Sequence, residues 1–385
     1  MPQSSLSLRI VPALAALLAG VLPVAAQAPA KPSLSIADQG YMFVGGRYQT
    51  TKDGQIRTGQ MFVQYQIPAE KKHPYPIVMI HGGGQTGTNF LQTPDGREGW
   101  ATYFLRQGYS VYVIDQSARG RSGYFTEVYG PTRRPSTKAM SDRFTAPKET
   151  ALYPQAQFHT QWPGSGKAGD PVFDEFFASQ VEDIADVSAI ERLNREAGAA
   201  LLDRIGPSIL LTHSQGGPLG WTIANDRPDK VRGILAIEPN GPTFYDNQVV
   251  GAPEWFKDGS VARAHGVTRT ELTFDPPLQA PTDLKFVRQD QADKPDLVRC
   301  WQQAEPARKL TKLAGIPILI LVSEASYHAP YDHCTAKFLT QSGVKNDFVR
   351  LPDLGIRGNG HMMMLEKNNL EIAGVLDSWL GKNVK

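Results

Sequence analysis

Leu210-Leu211-Thr212-His213-Ser214-Gln215-Gly216-Gly217 is the stretch on which the reading of this chain turns. The apolar run 208–212 reads as a buried strand, and 216–225 as a helix. A serine on the sharp turn between them would lift its hydroxyl above the sheet edge. The Gln215 N–H, at the start of the helix, would point where a negative oxygen could form. Gly216 leaves room for strand and helix to approach. The usual pattern has glycine two residues before the serine; here Thr212 stands there. Taken alone, the octapeptide fits a serine at an ordinary helix start as well as it fits a nucleophile.

Outward from this turn, short apolar runs alternate with helical stretches. Residues 77–80, 110–114, 231–237, 316–321 and 348–351 read as strands. Residues 100–107 and 365–380 read as helices, as does 176–194, with Val181, Ile184, Val187 and Ile190 on one stripe. Upstream, 41–44 and 61–65 flank Asp53-Gly54 and predict an antiparallel pair at a sheet edge. The pattern implies an α/β fold, with a mostly parallel central sheet and helices on both faces. Two stretches, 123–171 and 240–309, are too long for plain connections. Each should leave the carboxyl end of a strand, where ligands bind in such sheets, so both are read as cap insertions. Their aromatics, such as Tyr124, Phe125, Tyr129, Trp162, Trp255 and Phe274, are expected to line a pocket.

Two further motifs bear on the chemistry. His81-Gly82-Gly83-Gly84 follows the strand 77–80. Its glycines can turn N–H groups toward a ligand, so Gly83 or Gly84 is expected to join Gln215 as an oxyanion donor. His81 itself reads as structural, as does Asp115 with Arg119 to Ser122. Gly358-Asn359-Gly360-His361 lies after the last strand and before the last helix, the loop from which a base would reach Ser214. A carboxylate must hold that base, and Glu238 and Glu324 both follow strands. His213 reads as packing or substrate-facing. His328 and His333, near Asp332 and Cys334, match no common metal spacing and are expected on a loop or the surface. No metal or other cofactor is expected.

The N-terminus carries Arg9, an apolar stretch 10–24 and Ala25-Ala26-Gln27-Ala28, the pattern of a secretory signal peptide. Cleavage is expected after Ala26, with Ala28 as the alternative, leaving a mature domain 27–385 that is secreted or periplasmic. No later stretch is long and apolar enough for stable membrane insertion. The even pair Cys300 and Cys334 is then expected to form a disulfide. With 40 Lys and Arg against 38 Asp and Glu, and no basic stripe, nucleic acid is not an expected partner. Oligomeric state is left open, a homodimer being one option.

Taken together, the chain resembles the α/β-hydrolase superfamily from about Tyr41 onward. More narrowly it is similar to a small group of secreted bacterial esterases. The likeness lies in His81-Gly82-Gly83-Gly84-Gln85-Thr86-Gly87, His213 to Gly217, Ile237-Glu238-Pro239, and Gly358 to Met364 with Asn368-Asn369. In that group the acid is a Glu directly after the strand that follows the nucleophile helix, which implies Glu238 over Glu324. One member has adjacent cysteines where Gly83 and Gly84 stand here.

The resulting expectation is a serine hydrolase of small-molecule carboxylic esters, working through an acyl-enzyme, with Ser214, His361 and Glu238 as triad. Lactone, amide or thioester hydrolysis is the alternative within enzymes. A non-catalytic binding protein of the same fold is the alternative outside them.

Overall fold

Strands with apolar side chains on both faces need cover on both faces. Residues Ile77–Ile80, Ser208–His213 and Ile318–Val322 are buried throughout, and they form the middle of the sheet. The computed structural model describes residues 33–385. The expected signal peptide and its cleavage site lie outside the described residues.

Among the described residues the central sheet has eight strands. In chain order they are β1 (Ile36–Thr51), β2 (Gly54–Pro68), β3 (Ile77–Ile80), β4 (Val111–Asp115), β5 (Ser208–His213), β6 (Val231–Ile237), β7 (Ile318–Val322) and β8 (Asp347–Arg350). Their spatial order is β1-β2-β4-β3-β5-β6-β7-β8. The pairs β1–β2 and β2–β4 are antiparallel, and all others parallel. The expected edge pair around Asp53-Gly54 is present, with longer strands than the apolar runs suggested.

Alternation along the strands sorts the core into two layers. Val78, Ile80, Leu210, Ile234 and Ile320 face one layer, which includes Leu201 and Trp221. Ile77, Met79, Leu211, Leu235 and Leu321 face the other, which includes Trp100, Phe173 and Leu376. Each fully buried side chain of this kind contributes roughly 1.5–3 kcal/mol. The helices that supply the cover are α1 (Trp100–Arg106), α2 (Pro171–Ala178), α3 (Val187–Ile205), α4 (Gly217–Asp226), α5 (Asp332–Gln341) and α6 (Asn369–Asn383).

Two helices depart from the sequence reading. The single helix expected at 176–194 is two. Asp170 caps α2 and Asp186 caps α3 through their side chains, and residues Asp183–Ile184 between them pair with Thr132–Arg133. The last helix starts at Asn369, not at Leu365. Arg97 explains the delay: its guanidinium donates to the carbonyls of Leu365, Glu366 and Lys367 and to Asn369 Oδ1, which holds that stretch in a turn.

Both long excursions leave carboxyl ends of strands, residues 123–171 after β4 and 240–309 after β6. They touch each other, where the Gly251 N–H donates to Leu152 O and Gln155 Nε2 to Asp296 O. Cys300, in the second excursion, is bridged to Cys334 in the first turn of α5, as expected for an even pair. Among the described residues no helix is long and apolar enough to cross a membrane.

Candidate active site

Ser214 sits between β5 and α4 with φ +52°, a left-handed backbone that serine rarely adopts. The turn is tight: a methyl group on Gly216 would lie 2.8 Å from Ile80 O and 2.9 Å from His81 O. Thr212 replaces the usual glycine, and Gly220 across from it makes the space. A methyl on Gly220 would come within 2.9 Å of Thr212 Cγ2. The departure in the motif is therefore matched one helical turn later.

Glu238 directly follows β6, also with positive φ (+43°). Its Oε2 accepts from His361 Nδ1 at 2.6 Å and from Ser326 Oγ at 2.6 Å. Its Oε1 accepts from Ser323 N at 2.9 Å and Ser323 Oγ at 2.6 Å. Burial pushes this carboxyl up, but the His361 hydrogen bond and charge, with Ser323, outweigh it and hold it below the ordinary range. Burial holds His361 below the usual histidine value, against the Glu238 bond that raises it; neighbouring His328 lowers it further. The structure thus brings Glu238 to His361. Glu324 instead binds Arg357 at 2.6 Å and the Gly358 N–H at 2.8 Å, bracing the loop that carries His361.

That loop is fixed from several sides. Buried Glu366 accepts from the Gly360 N–H, Asn359 Nδ2 and His159 Nε2, the last from the first excursion. His213 Nε2 donates to His361 O at 3.0 Å, so His213 is a packing and anchoring residue.

Rings enclose the His361 imidazole. His328 stacks on it at 4.6 Å with planes 10° apart, and Phe144 at 5.2 Å and 28°. Tyr327 lies 4.9 Å away, and His213 4.5 Å. Among the described residues no hydrogen bond joins the Ser214 and His361 side chains directly. Sequence reasoning missed Phe144, Tyr327 and His328. The signal available for two of them was position, since Ser323 to His328 follows the carboxyl end of β7, where ligands gather in such sheets.

Two expectations are corrected. His328 does lie on a loop, between β7 and α5, but it is 1% exposed and not at the surface, and His333 lies within α5 at 8% exposure. His328 Nδ1 pairs with buried Asp332 Oδ1 at 2.9 Å because the first turn of α5 faces the site; burial pushes His328 down to about 4 and Asp332 well up. Nor do the six aromatics expected to line a pocket enclose His361. Trp162 packs edge-on against Phe176 in the core, Phe274 is core as well, and Tyr124 and Tyr129 pack near Ala118 and Ile184. Large apolar rings on these segments gain more from core burial than from facing a ligand.

The glycine loop sits against the serine turn. A methyl on Gly82 would lie 3.0 Å from Ser214 Cβ, whereas one on Gly84 would meet Pro135 and Gln180. The Gly82 carbonyl accepts from His81 Nδ1 and from Arg119 Nη1, both at 2.9 Å. In a trans peptide the next N–H points the opposite way, so the Gly83 N–H is turned away from Arg119. Arg119 is buried and also donates to Asp183 Oδ2 and Gln215 Oε1. His81 Nε2 accepts from the Gln116 N–H, and burial, with the Arg119 charge, pushes His81 down to about 3. Asp115 accepts from the Gly87 and Arg121 backbones and from the Arg121 side chain. Both residues hold the loop and its flanks.

Among the described residues two groups have metal-ligand proximity, Glu238 with His328 and His361, and Cys300 with His333 and Cys334. In the first, four hydrogen bonds already use the Glu238 oxygens, and in the second the sulfurs are bonded to each other. Neither donor set fits a resident ion.

Residues 77–375 match the model of the alpha/beta hydrolase family. The chain is 45% identical over 343 residues to "Probable secreted lipase phiG" of Fungal sp. (strain ATCC 74256), covering 89% of each. Among solved structures it is similar to one described as a novel bacterial esterase, with TM-score 0.62 and 27% identity, over 93% of this chain and 99% of that one.

Proposed function

The chain belongs to the alpha/beta hydrolase family, and on that premise we propose that it is a secreted serine esterase that cleaves carboxylic esters through an acyl-enzyme. One observation carries the reading: the buried Glu238–His361 pair, 2.6 Å apart, lies against the ring of His213 at 4.5 Å, the residue directly before Ser214 on its strained turn. The names of its relatives, a probable secreted lipase and a bacterial esterase, point to the same bond.

In this mechanism Ser214 Oγ attacks the ester carbonyl while His361 Nε2 takes its proton. Glu238 keeps the other proton on His361 Nδ1 and stabilises the imidazolium. The Gln215 N–H and the Gly83 N–H hold the oxyanion; the clamped Gly82 carbonyl favours Gly83 over Gly84 for this role. His361 then protonates the leaving alcohol, and water repeats the cycle on the acyl-enzyme. Ser214 and His361 tighten on each other when substrate binds, as catalytic hydrogen bonds often do. Residues 123–171 and 240–309 act as the cap, with Phe144 as the first excursion's contact to the base. The signal peptide 1–26 is removed on export, leaving 27–385.

The test is labelling with a fluorophosphonate, alongside turnover of short-chain esters. Wild-type protein should label at Ser214 and hydrolyse esters, and Ser214→Ala should lose labelling and at least ~10³-fold in activity. Undiminished turnover by a folded Ser214→Ala would overturn the assignment.

A further inference from the structure

Arg119 is buried, and its guanidinium joins three parts of the chain that meet beside Ser214. Nη1 donates to the Gly82 carbonyl at 2.9 Å. Nη2 donates to Gln215 Oε1 at 3.0 Å and to Asp183 Oδ2 at 3.1 Å. Gln215 Nε2 donates to that same Asp183 oxygen at 3.3 Å, so Arg119, Gln215 and Asp183 are bonded pairwise. One planar fork therefore ties the glycine loop after β3 to the serine turn after β5. These are the two segments whose N–H groups are assigned above to the oxyanion.

The chain is bent to put Arg119 there. Ala118, directly before it, has φ +63°, a left-handed backbone that alanine adopts only where its surroundings impose it. They do so here. The Gln116 N–H donates to His81 Nε2 at 3.0 Å, the Gln116 side-chain amide donates to His81 O at 2.7 Å, and the Ser117 N–H donates to Asn194 Oδ1 at 2.7 Å. The turn after β4 is thus strapped along the glycine loop and delivers a cation to the next carbonyl. Neutralising Asp183 does not require this second arginine, because Arg133 of the first excursion already donates to Asp183 Oδ1 at 2.9 Å. Burial lowers Arg119 to about 10, against the Asp183 charge that raises it, so it stays cationic at neutral pH.

Resting on the esterase reading, we propose that Arg119 is a positioning residue for the oxyanion site: through the Gly82 carbonyl and the Gln215 side chain it presets the Gly83 and Gln215 N–H groups before the negative oxygen forms. It touches no reacting atom and moves no proton. Donors that are already aimed need no reorganisation as charge develops, so the benefit falls on the transition state. A guanidinium on the carbonyl side of the Gly82–Gly83 peptide also polarises that peptide and strengthens its N–H as a donor.

The experiment replaces Arg119 by lysine, which keeps a cation but loses the fork. Steady-state kinetics on a 4-nitrophenyl ester is paired with inhibition by an alkyl trifluoromethyl ketone, whose adduct with Ser214 carries the oxyanion. For Arg119→Lys, kcat should fall about 10- to 100-fold with KM within about 3-fold of wild type. Affinity for the ketone should fall by a matching factor. The acid limb of the pH profile should not move, because the Glu238–His361 contact is untouched; a general loosening of the site would shift that limb and raise KM. Gln215→Met cuts one arm and leaves the Arg119 bonds to Asp183 and Gly82. It should show the same signature at about 3- to 10-fold, and it decides the matter if Arg119→Lys does not fold. Unchanged kcat and ketone affinity in the deciding variant, or a loss that appears in KM or in the acid limb instead, overturns the role of Arg119 alone when the wild type is active. A wild type inert to the ester and to the fluorophosphonate overturns the esterase reading beneath it.

Discussion

Glu238 Oε2 lies 2.6 Å from His361 Nδ1, across 123 residues of chain, while the carboxylate of Glu324 is taken up by Arg357 and the Gly358 N–H. The two acids therefore stand at different removes from His361. Glu238→Gln removes the charge that favours the imidazolium and should lower kcat by about 10³-fold or more. Glu324→Gln loosens one brace of the loop and should cost less than about 10-fold. Steady-state kinetics on one ester separates them; a larger loss at Glu324 would reverse the assignment.

The pH profile carries its own signature. In the proposed mechanism His361 works only as neutral imidazole, and burial disfavours its charged form. A lowered folded-state value keeps His361 neutral to more acid pH. The acid limb of kcat/KM should therefore have its midpoint below about 6.5. A midpoint above that value would mean that the Glu238 charge outweighs burial.

Phe144 and Trp162 belong to the same excursion but face different surroundings. Phe144 stacks on His361, whereas Trp162 is 4% exposed and packs against Phe176 in the core. Phe144→Ala should change the ranking of short against long acyl esters with little change in melting temperature. Trp162→Ala should instead destabilise the fold by about 3–5 kcal/mol. If Phe144→Ala keeps the parent's substrate ranking, the excursion is not a selective cap.

The Cys300–Cys334 bridge closes a loop with a sequence separation of 34 and fastens the second excursion to α5, which also carries Asp332. Loop-closure entropy gives such a bridge about 3–4 kcal/mol. Cys300→Ser should lower stability by that order in denaturant melts, and non-reduced peptide mapping should recover the linked pair. Free alkylation of both thiols in exported protein would refute it.

Sequence alone determined the layer architecture, because apolar period and strand length are local properties of the chain. Ile77 to Ile80 and Ile318 to Val322 are apolar at every position, and such runs can only be central strands between two helical layers. It also placed Ser214 on a turn between strand and helix and His361 on the loop before the last helix, since such a turn is readable from glycine spacing. Helix boundaries were less legible: the caps Asp170 and Asp186 outweighed a continuous apolar stripe, and Arg97 held Leu365 to Lys367 out of α6. What only tertiary structure decided is which side chains meet. Sheet order sets β6 beside both β5 and β7, so Glu238 arrives at His361 and the segment from Ser323 to His328 folds over both. Phe144 reaches the same ring from a different excursion. No local pattern encodes that convergence, because it depends on the packing of segments distant in the chain, and burial gives Tyr327 or His328 no sequence mark that distinguishes it from any other aromatic on a loop.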